Sequence, residues 1–65
     1  MDPGQLSLEE RRILRILYNL GPQRAIYDAA SISLRDKKLA ELDAVGSTLV
    51  ITDEGKEIVR ILRQG

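Results

Sequence analysis

Ser33-Leu34-Arg35-Asp36-Lys37-Lys38-Leu39-Ala40-Glu41-Leu42-Asp43-Ala44-Val45-Gly46 opens on a hydroxyl that can cap a helix and closes on a residue that stops one. Between them Leu39, Leu42 and Val45 recur at helical spacing, and Asp36 puts an acid in the first turn, so the stretch is expected to be a helix. Ser47-Thr48-Leu49-Val50-Ile51 follows at once, β-branched and apolar and too short for a helix, and is expected to be one strand.

Upstream, Ser7-Leu8-Glu9-Glu10 is a capping-box pattern, in which the Ser hydroxyl and the Glu carboxylate each take a free amide of the first turn. The helix it starts carries Ile13, Leu14, Ile16, Leu17 and Leu20 on one side and Arg12, Arg15 and Asn19 on the other, with Arg11 at the edge, until Gly21-Pro22 stops it. Gln23 to Ala30 suits a second, short helix with Ile26, Ala29 and Ala30 inward, interrupted by Ser31-Ile32-Ser33. Downstream, Thr52 caps a last helix with Asp53 and Glu54 in its first turn and Ile58, Val59, Ile61 and Leu62 on its apolar side. The expected order is α-α-α-β-α: a mainly α single domain over residues 1–65, with 1–6 as a flexible leader.

Sixty-five residues hold one small core, and a chain of that size buries only about 60% of the surface its unfolded form exposes. There is no Cys and no His, which removes disulfides, thiol chemistry and the commonest metal ligand and general base. The glycines form no phosphate-binding loop, and no nucleophile has a base beside it. Asp53, Glu54 and Glu57 are explained by the helix dipole without a metal. No enzyme, cofactor or metal is therefore expected. No apolar run is long enough to cross a bilayer and Met1-Asp2-Pro3-Gly4 lacks the pattern of a signal peptide, so no membrane partner and a cytoplasmic location are expected. The missing Cys and His, the single Asn and the many Ile, Leu and Arg fit a heat-adapted organism.

Ten cationic and ten acidic residues cancel, so nothing draws the whole chain to a polyanion. The charges are nevertheless segregated: residues 11 to 38 carry seven cations against two acids, net +5, and residues 39 to 57 carry one cation against five acids, net −4. A neutral chain divided in this way can meet a polyanion with one half, or its own copy head to tail.

Helix, short helix, tight turn, third helix and strand is the order of a helix-turn-helix module extended toward a winged helix. Ala30-Ser31-Ile32-Ser33 resembles the turn of that family, with Ser31 at a position that usually favours Gly; in the left-handed conformation it would cost on the order of 1 kcal/mol. Leu39-Ala40-Glu41-Leu42-Asp43-Ala44-Val45-Gly46 fits the LxxLxxxG with which the recognition helix of MarR-type and related winged-helix regulators closes, and Leu49-Val50-Ile51-Thr52-Asp53-Glu54-Gly55 resembles their passage from wing to last helix. Val50 is followed at once by Ile51-Thr52, so the wing is expected to be missing or reduced to a single short strand.

The resemblance implies a small DNA-binding protein acting in transcriptional regulation or nucleoid association. It sets the start of the third helix against the DNA backbone, and so singles out Arg24, Ser33, Arg35, Lys37 and Lys38 as the residues that meet double-stranded DNA. The outward face of that helix presents Asp36, Lys37, Ala40, Asp43 and Ala44 with Glu41 at its edge, and beyond its start is acidic or Ala, so binding would rest on phosphates rather than base edges. For Arg35 and Lys38 a solvated helix start is the other reading, and for Arg11, Arg12 and Arg15 the choice is between a binding ridge and a solvated face. Tyr18 and Tyr27 either stack on bases or cover the core edge. The apolar arc of the last helix is wider than one core contact needs, which points to a homodimer through Val59, Ile61 and Leu62. The alternative function is a protein-interaction adaptor, docking a protein partner on the acidic half and the Ala40/Ala44 face.

Overall fold

Helix α1 (Leu8–Leu20) begins where its capping box predicts: Ser7 Oγ accepts from the Glu10 amide at 3.1 Å and the Ser7 amide donates to Glu10 Oε1 at 3.3 Å. It ends at Gly21, whose φ of 84° suits glycine and whose amide donates to the Leu17 carbonyl at 3.1 Å. The computed structural model describes residues 5–25 and 28–64. After α1 come β1 (Gln23–Arg24), α2 (Ala29–Asp36), β2 (Ala40–Leu42), β3 (Thr48–Ile51) and α3 (Asp53–Gln64). These residues are mainly helical, with three helices and one antiparallel sheet in the order β1-β3-β2.

The segment expected as a second helix over 23 to 30 starts as a strand. Gln23 and Arg24 pair with Leu49 and Thr48, and the Ala25 amide donates to the Ser47 carbonyl at 3.0 Å. Ile26 and Tyr27 lie outside the described residues. Asp28 then caps α2, its Oδ1 accepting from the Ser31 amide at 2.8 Å. Ser31-Ile32-Ser33 is thus inside a helix and does not interrupt one, because Asp28, five residues before Ser33, already caps the helix by accepting from the Ser31 amide. Ala29 is exposed, and Ser31 and Leu34 are the buried residues of α2.

The helix expected over Ser33 to Gly46 is also corrected. It ends at Asp36: the Leu39 amide donates to the Leu34 carbonyl at 2.9 Å and the Lys38 amide to the Arg35 carbonyl at 3.0 Å, the paired bonds of a Schellman stop. The left-handed residue that such a stop needs is Lys38, with φ 63°, and Ser31 has no positive φ. Leu34 and Leu39, both fully buried, supply the apolar contact that accompanies the motif. Ala40, Glu41 and Leu42 then pair with Ile51, Val50 and Leu49. The hairpin turn hangs on Asp43, whose Oδ1 accepts from the amides of Gly46, Ser47 and Thr48 at 2.7, 3.1 and 3.3 Å. Val45, expected on a buried helix face, is 85% exposed at the tip. Where the sequence suggests a single short strand, the chain forms a two-stranded antiparallel hairpin, β2–β3.

Thr52 caps α3, accepting from the Gly55 amide at 3.1 Å while its hydroxyl donates to the Lys38 carbonyl at 2.7 Å. Gly55 sits so close to β2 that a Cβ would collide with the Leu39 carbonyl oxygen. The core is Leu6, Leu14, Leu17, Leu34, Leu39, Ala40, Leu49, Ile58 and Val59. Leu6 is buried although the sequence reading leaves it in a flexible leader, whose residues 1–4 lie outside the described residues. Val59 is 0% exposed, so it lies in the monomer's own core and not on an outer face; Leu62 is half-buried against the same core, and Ile61 is 48% exposed. No helix among the described residues is long and apolar enough to cross a membrane.

Candidate nucleic-acid interface

The cations around α2 divide by what their neighbours are. Lys37, the C-cap of α2, donates from Nζ to Glu10 Oε2 at 2.8 Å, and Ser33 Oγ donates to the same oxygen at 3.3 Å. Glu10 is 6% exposed, so α1 and α2 are joined by a nearly enclosed carboxylate. Burial pushes its pKa up, but the Lys37 ammonium and the Ser7 amide outweigh that and hold it below its ordinary value. Ser33 and Lys37, expected to meet DNA, are therefore turned to a partner inside the molecule.

Lys38 and Arg35 differ from them. Lys38 is exposed, Arg35 is half-buried, and among the described residues neither takes part in an ion pair. The Schellman stop that joins their backbones holds both at the C-terminal end of α2. Arg24 is exposed on β1, where with Asp28 and Ser31 it lines a groove of about 280 Å³ between α1, β1 and the N-terminal end of α2. Eight helical residues, about 12 Å of axis, separate the two ends of α2. Arg24 is thus not gathered with Arg35 and Lys38 into one cluster.

On α1, Arg12 is 3.7 Å from Glu9, and Arg15 is exposed with no ion pair among the described residues. Tyr18 packs against the core beneath Arg63, whose guanidinium lies 5.7 Å from the ring centroid, which is the core-edge role. Tyr27 lies outside the described residues. In α3, Asp53 is 4.0 Å from Lys56 and Glu57 is paired with Arg60. Among the described residues no group of three or more potential metal ligands is assembled. Ala40 is buried and Ala44 is exposed, so the expected Ala40/Ala44 docking face does not exist.

Two features escaped sequence reasoning. Glu10 is legible as a capping residue, but its second partner is 27 residues away, and no local signal announces it. Asp43 followed three residues later by Gly46 is a turn signature, which the helical spacing of Leu39, Leu42 and Val45 masked. Comparison with protein families, with characterised proteins and with solved structures finds no match to this chain.

Proposed function

We propose that this chain is a non-catalytic, winged-helix-like domain that binds double-stranded DNA through phosphate contacts, in transcriptional regulation or nucleoid association. The observation that carries the reading is Lys38. It occupies a left-handed backbone position where glycine would be free of strain, yet its exposed side chain has no acidic partner among the described residues and stands beside Arg35. An L-residue at such a position costs on the order of 1 kcal/mol, and an exposed cation placed there is open to an external anion. The β2–β3 hairpin supports the winged-helix part of the proposal, since it directly precedes the Thr52-capped helix, where the family resemblance sets a wing. The acidic and apolar hairpin itself, with Glu41 and Val45 outward, adds no DNA contact, so affinity would rest on the end of α2.

The test is binding of a labelled random duplex across a salt series. Each phosphate contact contributes about −0.9 to the slope of log K against log salt, so replacing Arg35 and Lys38 together by Ala is expected to flatten the slope by about 2 and weaken all sequences alike. Lys37→Ala is expected to lower stability and leave the slope unchanged. If the wild type does not bind at ~50 mM salt, the DNA reading fails. The adaptor reading then takes its place, with Val45 at the hairpin tip as the exposed apolar contact.

A further inference from the structure

The outward faces of the first and last helices carry matching patterns of opposite sign. On α1, Leu8, Arg12 and Arg15 are all exposed and follow one another at intervals of four and three residues, which keeps them on one stripe. On α3, Ile61, Glu57 and Glu54 are all exposed and recur at the same four and three intervals when read backwards along the chain. Laid antiparallel, Leu8 meets Ile61, Arg12 meets Glu57 and Arg15 meets Glu54. Leu8 is 78% exposed and Ile61 48%, so each stripe ends on an apolar side chain its own molecule leaves largely uncovered.

We infer that this face is a self-association surface, in which the α1 stripe of one copy docks antiparallel on the α3 stripe of a second copy. The partner is fixed by charge complementarity: a chain of net charge zero presents a basic stripe and an acidic stripe of identical spacing. Each contact joins α1 of one copy to α3 of another, an arrangement that allows either reciprocal closure of two copies or head-to-tail growth. Arg12 with Glu9 and Glu57 with Arg60 have partners on their own helices, but both pairs are exposed and hold their charges weakly. Arg15 and Glu54 take part in no ion pair among the described residues. The stripe uses none of Arg24, Arg35 and Lys38, so this inference stands independently of DNA binding.

Six side chains make a small interface, with a dissociation constant expected on the order of 0.1–1 mM at low salt. Sedimentation equilibrium of the full chain without nucleic acid tests it. At ~20 mM salt and ~1 mM protein the mean mass is expected to rise above the 7.3 kDa monomer, and at ~500 mM salt to fall back toward it. Reversing Arg12 and Arg15 to Glu, or Glu54 and Glu57 to Lys, is expected to leave monomers, since each variant then offers two stripes of one sign. An equimolar mixture of the two is expected to associate, and a chain carrying all four reversals, again neutral, to self-associate like the wild type. All four positions are exposed, so circular dichroism is expected to be unchanged in every variant. A wild type that stays monomeric at ~1 mM and low salt overturns the inference, as does association that survives either reversal, or a four-fold reversed chain that stays monomeric.

Discussion

Two turns of this molecule are each tied by one carboxylate, and they differ in what the carboxylate faces. Glu10 sits between α1 and α2, nearly enclosed, and holds an ammonium, a hydroxyl and an amide. Asp43 sits at the β2–β3 turn and accepts from three backbone amides. A buried charge is tolerated only while its partner is present, so Glu10 makes the α1–α2 junction dependent on one distant lysine. A carboxylate that binds amides of its own turn needs nothing from the rest of the fold. The first arrangement couples two helices; the second organises a turn.

The largest expected effect breaks the first arrangement. Lys37→Ala leaves Glu10 charged and nearly enclosed. Removing one partner of a fully buried pair costs ~3–5 kcal/mol, and because the Lys37 side chain is 27% exposed, a loss of about 2 kcal/mol is expected. For a domain of this size that is a drop of roughly 10 °C in melting temperature. Replacing both partners, Glu10→Leu with Lys37→Met, is expected to recover most of it, since no charge is then stranded. If the single variant melts like the wild type, the junction does not depend on the pair.

Acid acts on both regions. The folded-state pKa values of Glu10 and Asp43 lie below their ordinary 4.5 and 3.8, so the stability they add is fully present above those values and lost as pH falls through the folded ones. Melting temperature followed from about pH 6 to about pH 3 is expected to fall chiefly below about pH 4.5, and Lys37→Ala to shrink the part that belongs to Glu10. An unchanged acid profile in that variant would show that Lys37 does not set the Glu10 proton affinity.

Lys38 offers a contrast with its neighbour. Lys38→Gly relieves the left-handed backbone and is expected to stabilise by up to about 1 kcal/mol, opposite in sign to Lys37→Ala, while weakening DNA binding. Asp43→Ala is expected to move global melting least. Amide exchange should accelerate at Gly46, Ser47 and Thr48 while Leu39 stays protected, and uniform acceleration through α2 would refute a purely local role.

Both ends of α1 and the start of α3 were legible because their signals are local. Ser7 bonds an amide three residues on, Thr52 does the same, and Gly21 follows the last turn directly. The stretch from Ser33 to Gly46 was not legible in the same way. Its apolar spacing suits a helix, and its true form depends on β3, since Ala40, Glu41 and Leu42 become a strand only by pairing with Ile51, Val50 and Leu49. Of the candidate site, Lys38 is exposed and Arg35 half-buried with no ion pair among the described residues, whereas Ser33 and Lys37 are claimed by Glu10.

Sequence alone determined three local closures, the capping box, the glycine stop and the Thr52 cap, and the segregation of charge along the chain; the Asp28 cap and the Asp43 turn are equally local, but apolar spacing that also suits a helix masked them. Tertiary structure decided whether a three-residue apolar spacing became helix or hairpin, and which of two adjacent lysines faces solvent. The reason is range. A cap is complete once four consecutive residues are in place, but a strand has no free-energy minimum without its partner, and Lys37 has no carboxylate to meet until α1 and α2 are packed together.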